Sequence, residues 1–90
     1  MPISQCTRDA HDLMEGLVQK KITIIDAKQR AQKMQSADPE ASQKLDLWRQ
    51  ALDAYCAEST QTNLAATANV VRTFPGFREL MIEKAIALGF

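Results

Sequence analysis

The 90 residues include one histidine, one tryptophan, one tyrosine, two cysteines and three glycines, and each scarcity removes a class of chemistry. Gly16, Gly76 and Gly89 stand apart, and none precedes a Lys-Ser or Lys-Thr pair, so no phosphate-cradling loop is present. His11 has neither an HExxH nor a CxxC motif for company. Zinc generally takes three or four protein ligands, and the face shared by His11 and Glu15, four apart on a helix, supplies two. With Asp9 and Asp12 nearby, His11 reads as a flank residue of an acidic first helix, and neither metal nor cofactor is expected.

Two cysteines are too few for a disulfide framework. Cys6 and Cys56 both fall on or beside apolar helical positions, the ordinary setting of a free buried thiol. A nucleophile built from either with His11 as base requires the two side chains to meet, which no spacing here imposes, and the flanking aspartates oppose thiolate formation. No serine occupies an Asp-Ser-Leu context that would carry a prosthetic arm. The chain reads as non-enzymatic.

Charge of one sign is missing as well. Eleven basic residues balance eleven acidic ones, and the pI is near 6.5, so no overall field draws nucleic acid or an anionic membrane. No segment approaches the roughly 20 apolar residues of a membrane span, and the opening Met-Pro-Ile-Ser-Gln-Cys-Thr lacks the apolar stretch of a secretory signal. A cytoplasmic protein is expected. No Gly/Ser linker or charged tract divides the chain, so residues 1–90 are expected to form one domain.

What the sequence does contain is apolar residues at helical spacing. Hydrophobic residues make up 46% and charged residues 24%, the balance of a chain that folds. Ile3, Cys6, Ala10, Leu13, Met14, Leu17 and Val18 recur at three and four, predicting a helix over 4–21 that runs through Gly16. The β-branched run 22–25 has no second run to pair with. It reads as the entry to a second helix, 24–35, capped by Thr23 and facing inward through Ile24, Ala27, Ala31 and Met34.

Asp38-Pro39-Glu40 marks the clearest start in the chain, with aspartate at the N-cap and proline in the first turn. The third helix, 39–58, has a wide apolar arc formed by Ala41, Leu45, Leu47, Trp48, Ala51, Leu52, Ala54, Tyr55 and Cys56, with Asp46, Arg49, Gln50 and Asp53 outside. The polar run 58–63 ends it, and a fourth helix over 62–73 presents Leu64, Ala65, Ala68 and Val71. Phe74-Pro75-Gly76-Phe77 is a tight turn by composition. A fifth helix, 77–88, carries Phe77, Leu80, Met81, Ala85 and Leu88 on one side and Ile82 with Ile86 on another, closed by a left-handed Gly89 with Phe90 folding back. The expected fold is all-α, a compact bundle of four to five amphipathic helices with the third at its centre.

Function enters through what this pattern leaves over. A third helix buried along its length, together with Ile82 and Ile86, demands more cover than the short helices supply, unless the third packs centrally or a second copy adds its surface. The favoured reading is a small protein-interaction module, an adaptor, chaperone-like or regulatory protein, homodimeric and recognising partners through apolar helix faces. Its candidate contact residues are Trp48, Tyr55, Phe74, Phe77, Ile82 and Ile86, and for the four aromatics plain core is the competing assignment. The alternative is a nucleic-acid-binding regulator that uses Lys20, Lys21, Lys28, Arg30 and Lys33, interleaved with glutamines that suit phosphates and base edges. Against it stand the balanced charge and the absence of aromatics in the patch.

Overall fold

The computed structural model describes residues 3–89. Five helices follow one another: α1 (Gln5–Val18), α2 (Ile24–Lys33), α3 (Pro39–Ala57), α4 (Gln61–Val71) and α5 (Phe77–Ala87), with no strand among the described residues. At 1.5 Å per residue α3 is about 28 Å long. It therefore spans a molecule measuring 36 × 30 × 19 Å, and α1, α2 and α4 pack against it. The all-α bundle with a central third helix is observed.

The starts of α1 to α4 follow from short polar side chains, while α5 begins at Gly76 with no side-chain cap. Ser4 Oγ accepts from the Cys6 amide at 3.1 Å, Thr23 Oγ1 from Asp26 at 3.1 Å, Asp38 Oδ1 from Glu40 at 3.1 Å and Thr60 Oγ1 from Asn63 at 3.2 Å. Each satisfies an amide that the first helical turn leaves unpaired. Between α3 and α4 no glycine or proline is needed. Thr60 opens α4, while Asn63 Nδ2 donates back to the Glu58 carbonyl at 2.8 Å and closes α3.

The first helix ends three residues before the spacing suggests. Lys20 takes φ +62°, its N–H donates to the Leu17 carbonyl at 3.2 Å, and the Lys21 N–H donates to Gly16 at 2.8 Å. This is a Schellman ending with lysine where glycine is usual. Ile22 closes over the end of α1 at Gly16, where a Cβ would meet its side chain at 3.4 Å, an ordinary contact distance.

At the other turn, the Phe77 N–H donates to the Phe74 carbonyl at 3.2 Å and Gly76 sits at φ +79°, ψ 5°, a type II turn with Pro75 at its second position. The side chain of Ile3 lies over Gly76, and Thr7 Oγ1 donates to the Pro75 carbonyl at 2.7 Å. The start of α1 thus anchors the corner from which α5 departs. Gly89 takes φ +89° as expected, while Phe90 lies outside the described residues.

The continuous core contains Cys6, Ala10, Leu13, Met14 and Leu17 of α1, Ala31 of α2, Leu45, Trp48 and Leu52 of α3, and Val71 and Phe74. Trp48 and Phe74 meet edge to face at 6.2 Å, a favoured aromatic geometry. Several residues depart from the faces assigned from spacing. Leu47 and Ala54 on α3 are exposed, so its buried arc is narrower than half the circumference. Arg49 turns inward instead: its Nε donates to the Ala31 carbonyl at 3.0 Å, and its guanidinium also reaches the carbonyls of Gln32 and Met34, capping α2. On α4 the buried pivot is Thr67 rather than Ala65, because Thr67 Oγ1 donates to the Asn63 carbonyl at 2.8 Å and its polarity is satisfied within the helix. Leu88 is exposed at the far end of α5.

Candidate interaction surface and the His11 cluster

α5 is apolar on two sides. Leu80 is buried to 1% exposure, with Phe77, Met81 and Ala85 half-buried. Two positions further on, about 200° around the helix, Ile82 is 53% exposed, and Ile86 on the next turn is 67% exposed. Arg78, Glu79, Glu83 and Lys84 separate these two sides, and an apolar side of a helix is normally the covered one. Here one side is covered. The body holds α5 through Leu80 and Phe77, and through Arg8, whose guanidinium lies 2.9 Å from Glu83.

The six residues singled out for contact therefore divide. Trp48, at 0% exposure, and Phe74 are core, and Tyr55 and Phe77 are half-buried against that core. Ile82 and Ile86 alone stand open. Phe77 also floors an open groove of about 240 Å³ with Met14 and Val71, rimmed by His11, Glu15 and Arg72. A larger groove, about 380 Å³, runs between α1 and α2 over Leu13, Ile22 and Met34, with Asp9, Asp12 and Arg30 at its edges.

The five basic residues do not form one stripe. Lys20 and Lys21 occupy the turn after α1. Lys28 reaches across to α3, where its Nζ lies 3.1 Å from Asp53, and the hydrogen bond to that carboxylate with its charge raises the Lys28 pKa, assisted by Cys56. Arg30 is drawn to Asp26 at 3.4 Å, and Lys33 sits in the last turn of α2. Two of the five charges are thus engaged by carboxylates.

Cys6 and Cys56 are both free thiols, as expected, but in different settings. Cys6 is buried, and burial pushes its pKa up, with Asp9 adding to the rise and Arg49 opposing it. Cys56 is half-buried beside Lys28, in a shallow groove with Ile25, Gln29 and Gln32. Burial and the raised pKa both disfavour the thiolate at Cys6.

His11 has more company than its spacing indicates. Its Nδ1 lies 3.6 Å from Asp12 Oδ1 and 3.7 Å from Glu15 Oε2, and its ring packs on Phe77 at a centroid distance of 6.2 Å. Lys84 of α5 brings its Nζ to 3.7 Å from the same Asp12 oxygen. The His11/Glu15 pair was legible in the sequence. Asp12 was legible as a chain neighbour but not as a contact, because a residue one position along a helix ordinarily points elsewhere.

No described helix is long and apolar enough to cross a membrane. Comparison with protein-family models, with curated proteins and with solved structures found no match to this chain.

Proposed function

We propose that this chain is a small helical protein-interaction module, of adaptor, chaperone-like or regulatory type, that pairs with a second copy of itself through the outer side of α5. The observation that carries this reading is the pair Ile82 and Ile86, exposed on a helix whose opposite side is already committed to the bundle. Removing apolar area from water drives association, at about 25 cal/mol per Å² before the costs of lost rigid-body freedom and side-chain ordering are met. An apolar strip matches its own copy, and a closed two-fold pairing is the commonest oligomer. A domain this small also has the most to gain from further burial.

Sedimentation velocity over a concentration series tests the proposal. The expected result is a reversible dimer that persists or strengthens with added salt, as apolar association does. The double variant Ile82→Lys/Ile86→Lys should be monomeric with unchanged helicity, and Leu47→Lys on α3 should leave the dimer intact. A wild-type chain that stays monomeric throughout refutes pairing and leaves the α5 side to a different protein. Phosphate-driven binding of nucleic acid would instead weaken steeply with salt and with Lys33→Ala.

A further inference from the structure

We propose that His11, Asp12 and Glu15 form a three-ligand site for a divalent cation of the zinc class. Three ligand atoms from these residues lie within 4.8 Å of one another. The first argument is the state of the imidazole. His11 Nδ1 is buried and has no hydrogen-bond partner, although two carboxylates converge on it. A buried polar atom without a partner costs free energy, so one aimed at two anions is an unfinished interaction.

The second argument is distance. At 3.6 and 3.7 Å the two oxygens are too far for hydrogen bonds. Two ligands on one tetrahedral zinc, with bonds of 2.0–2.2 Å, are separated by about 3.4 Å. The His11 nitrogen stands within a few tenths of an ångström of that spacing from each oxygen, and all three ligand atoms lie within 4.8 Å of one another. The side chains of Asp12 and Glu15 are 66% and 49% exposed, so the adjustment meets no packing, although Gln19 Nε2 already donates to the other Glu15 oxygen at 3.1 Å, and a fourth position is left to water. Contact with Phe77 holds the ring.

A neutral imidazole with two carboxylates selects zinc, cobalt or nickel over calcium or magnesium, which favour all-oxygen sites. Lys84 is the built-in competitor, since its ammonium lies 3.7 Å from the Asp12 oxygen that the metal would take.

Titration of the intact chain with Co²⁺, followed by visible absorption and by Zn²⁺ competition, tests the site. One saturable equivalent is expected, displaced by Zn²⁺ and not by Ca²⁺. His11→Gln and Glu15→Gln should each weaken binding by about tenfold or more, since even residues that merely support a ligand are worth 10–100-fold. Lys84→Met should tighten it severalfold, an effect that loss of folding cannot imitate. The proposal is overturned if Co²⁺ does not saturate, if His11→Gln binds as the wild type does, or if a thiolate charge-transfer band places the metal on cysteine.

Discussion

α3 and α5 have similar apolar content and opposite fates. α3 lies against three other helices, with Trp48, Leu45 and Leu52 sealed in the core. α5 begins at a glycine corner, buries Leu80 apart from that core, and leaves Ile82 and Ile86 in solvent. Hydrophobicity alone does not distinguish them. The difference lies in angular distribution and in neighbours: α3 has charged residues opposite its buried stripe, whereas the apolar residues of α5 are divided between two sides, one of which has nothing to pack on. A helix with surplus apolar surface and few neighbours is the part of a small protein most available for association.

Substitution should separate the two helices most sharply at their large side chains. Trp48→Ala removes a fully buried ring and its contact with Phe74, and should cost about 3–5 kcal/mol of unfolding free energy. Ile86→Ala, measured by urea denaturation of the monomer, should stay within about 0.5 kcal/mol. Comparable losses at the two positions would mean that α5 is covered on both sides within one chain.

A smaller effect is expected at the corner. Gly76→Ala forces a Cβ into a left-handed conformation at a cost of about 1–2 kcal/mol. Because Ile3 and Thr7 hold this corner, amide exchange should quicken in α5 and the start of α1 before it quickens in α3. Uniform acceleration would show that α5 does not open separately.

The smallest effect concerns alkaline pH. Cys6 has its folded pKa raised above the ordinary thiol value of 9.0, so the folded state holds the proton more tightly than the unfolded chain. This contribution is fully present below pH 9.0 and is lost as pH rises from there through the folded pKa. Unfolding free energy should decline on that alkaline limb, and Cys6→Ala should flatten the decline. In native protein a thiol reagent should label Cys56 well before Cys6.

Much of the architecture was legible where a local signal has a single structural solution. Asp38-Pro39, Thr23 and the Pro75-Gly76 pair each admit few backbone conformations, and each sits where its chemistry requires. The end of α1 was hidden because lysine, not glycine, takes the left-handed position, so the Schellman ending has no sequence mark. The inward turn of Arg49 and the burial of Thr67 were hidden for a related reason. Their polar atoms are satisfied by backbone carbonyls, in Arg49's case those of another helix, and residue type alone then misjudges exposure. At the candidate sites, Ile82 and Ile86 could be read from the wheel of α5, whereas the approach of Asp12 to His11 depends on side-chain rotamers within α1, and its meeting with Lys84 on how α5 returns toward α1.

The guanidinium of Arg49 also makes one helix depend on another. α2 has ten residues, fewer than the roughly 12–15 at which an isolated helix becomes even marginal in water. It has no left-handed residue at its C-terminal end, where Met34 is extended, and its last carbonyls receive their hydrogen bonds from a side chain 15 to 18 positions further along. The second helix is therefore conditional on the third. α3, with 19 residues and its own Asp38 cap, exceeds that length, so the dependence runs from α2 to α3.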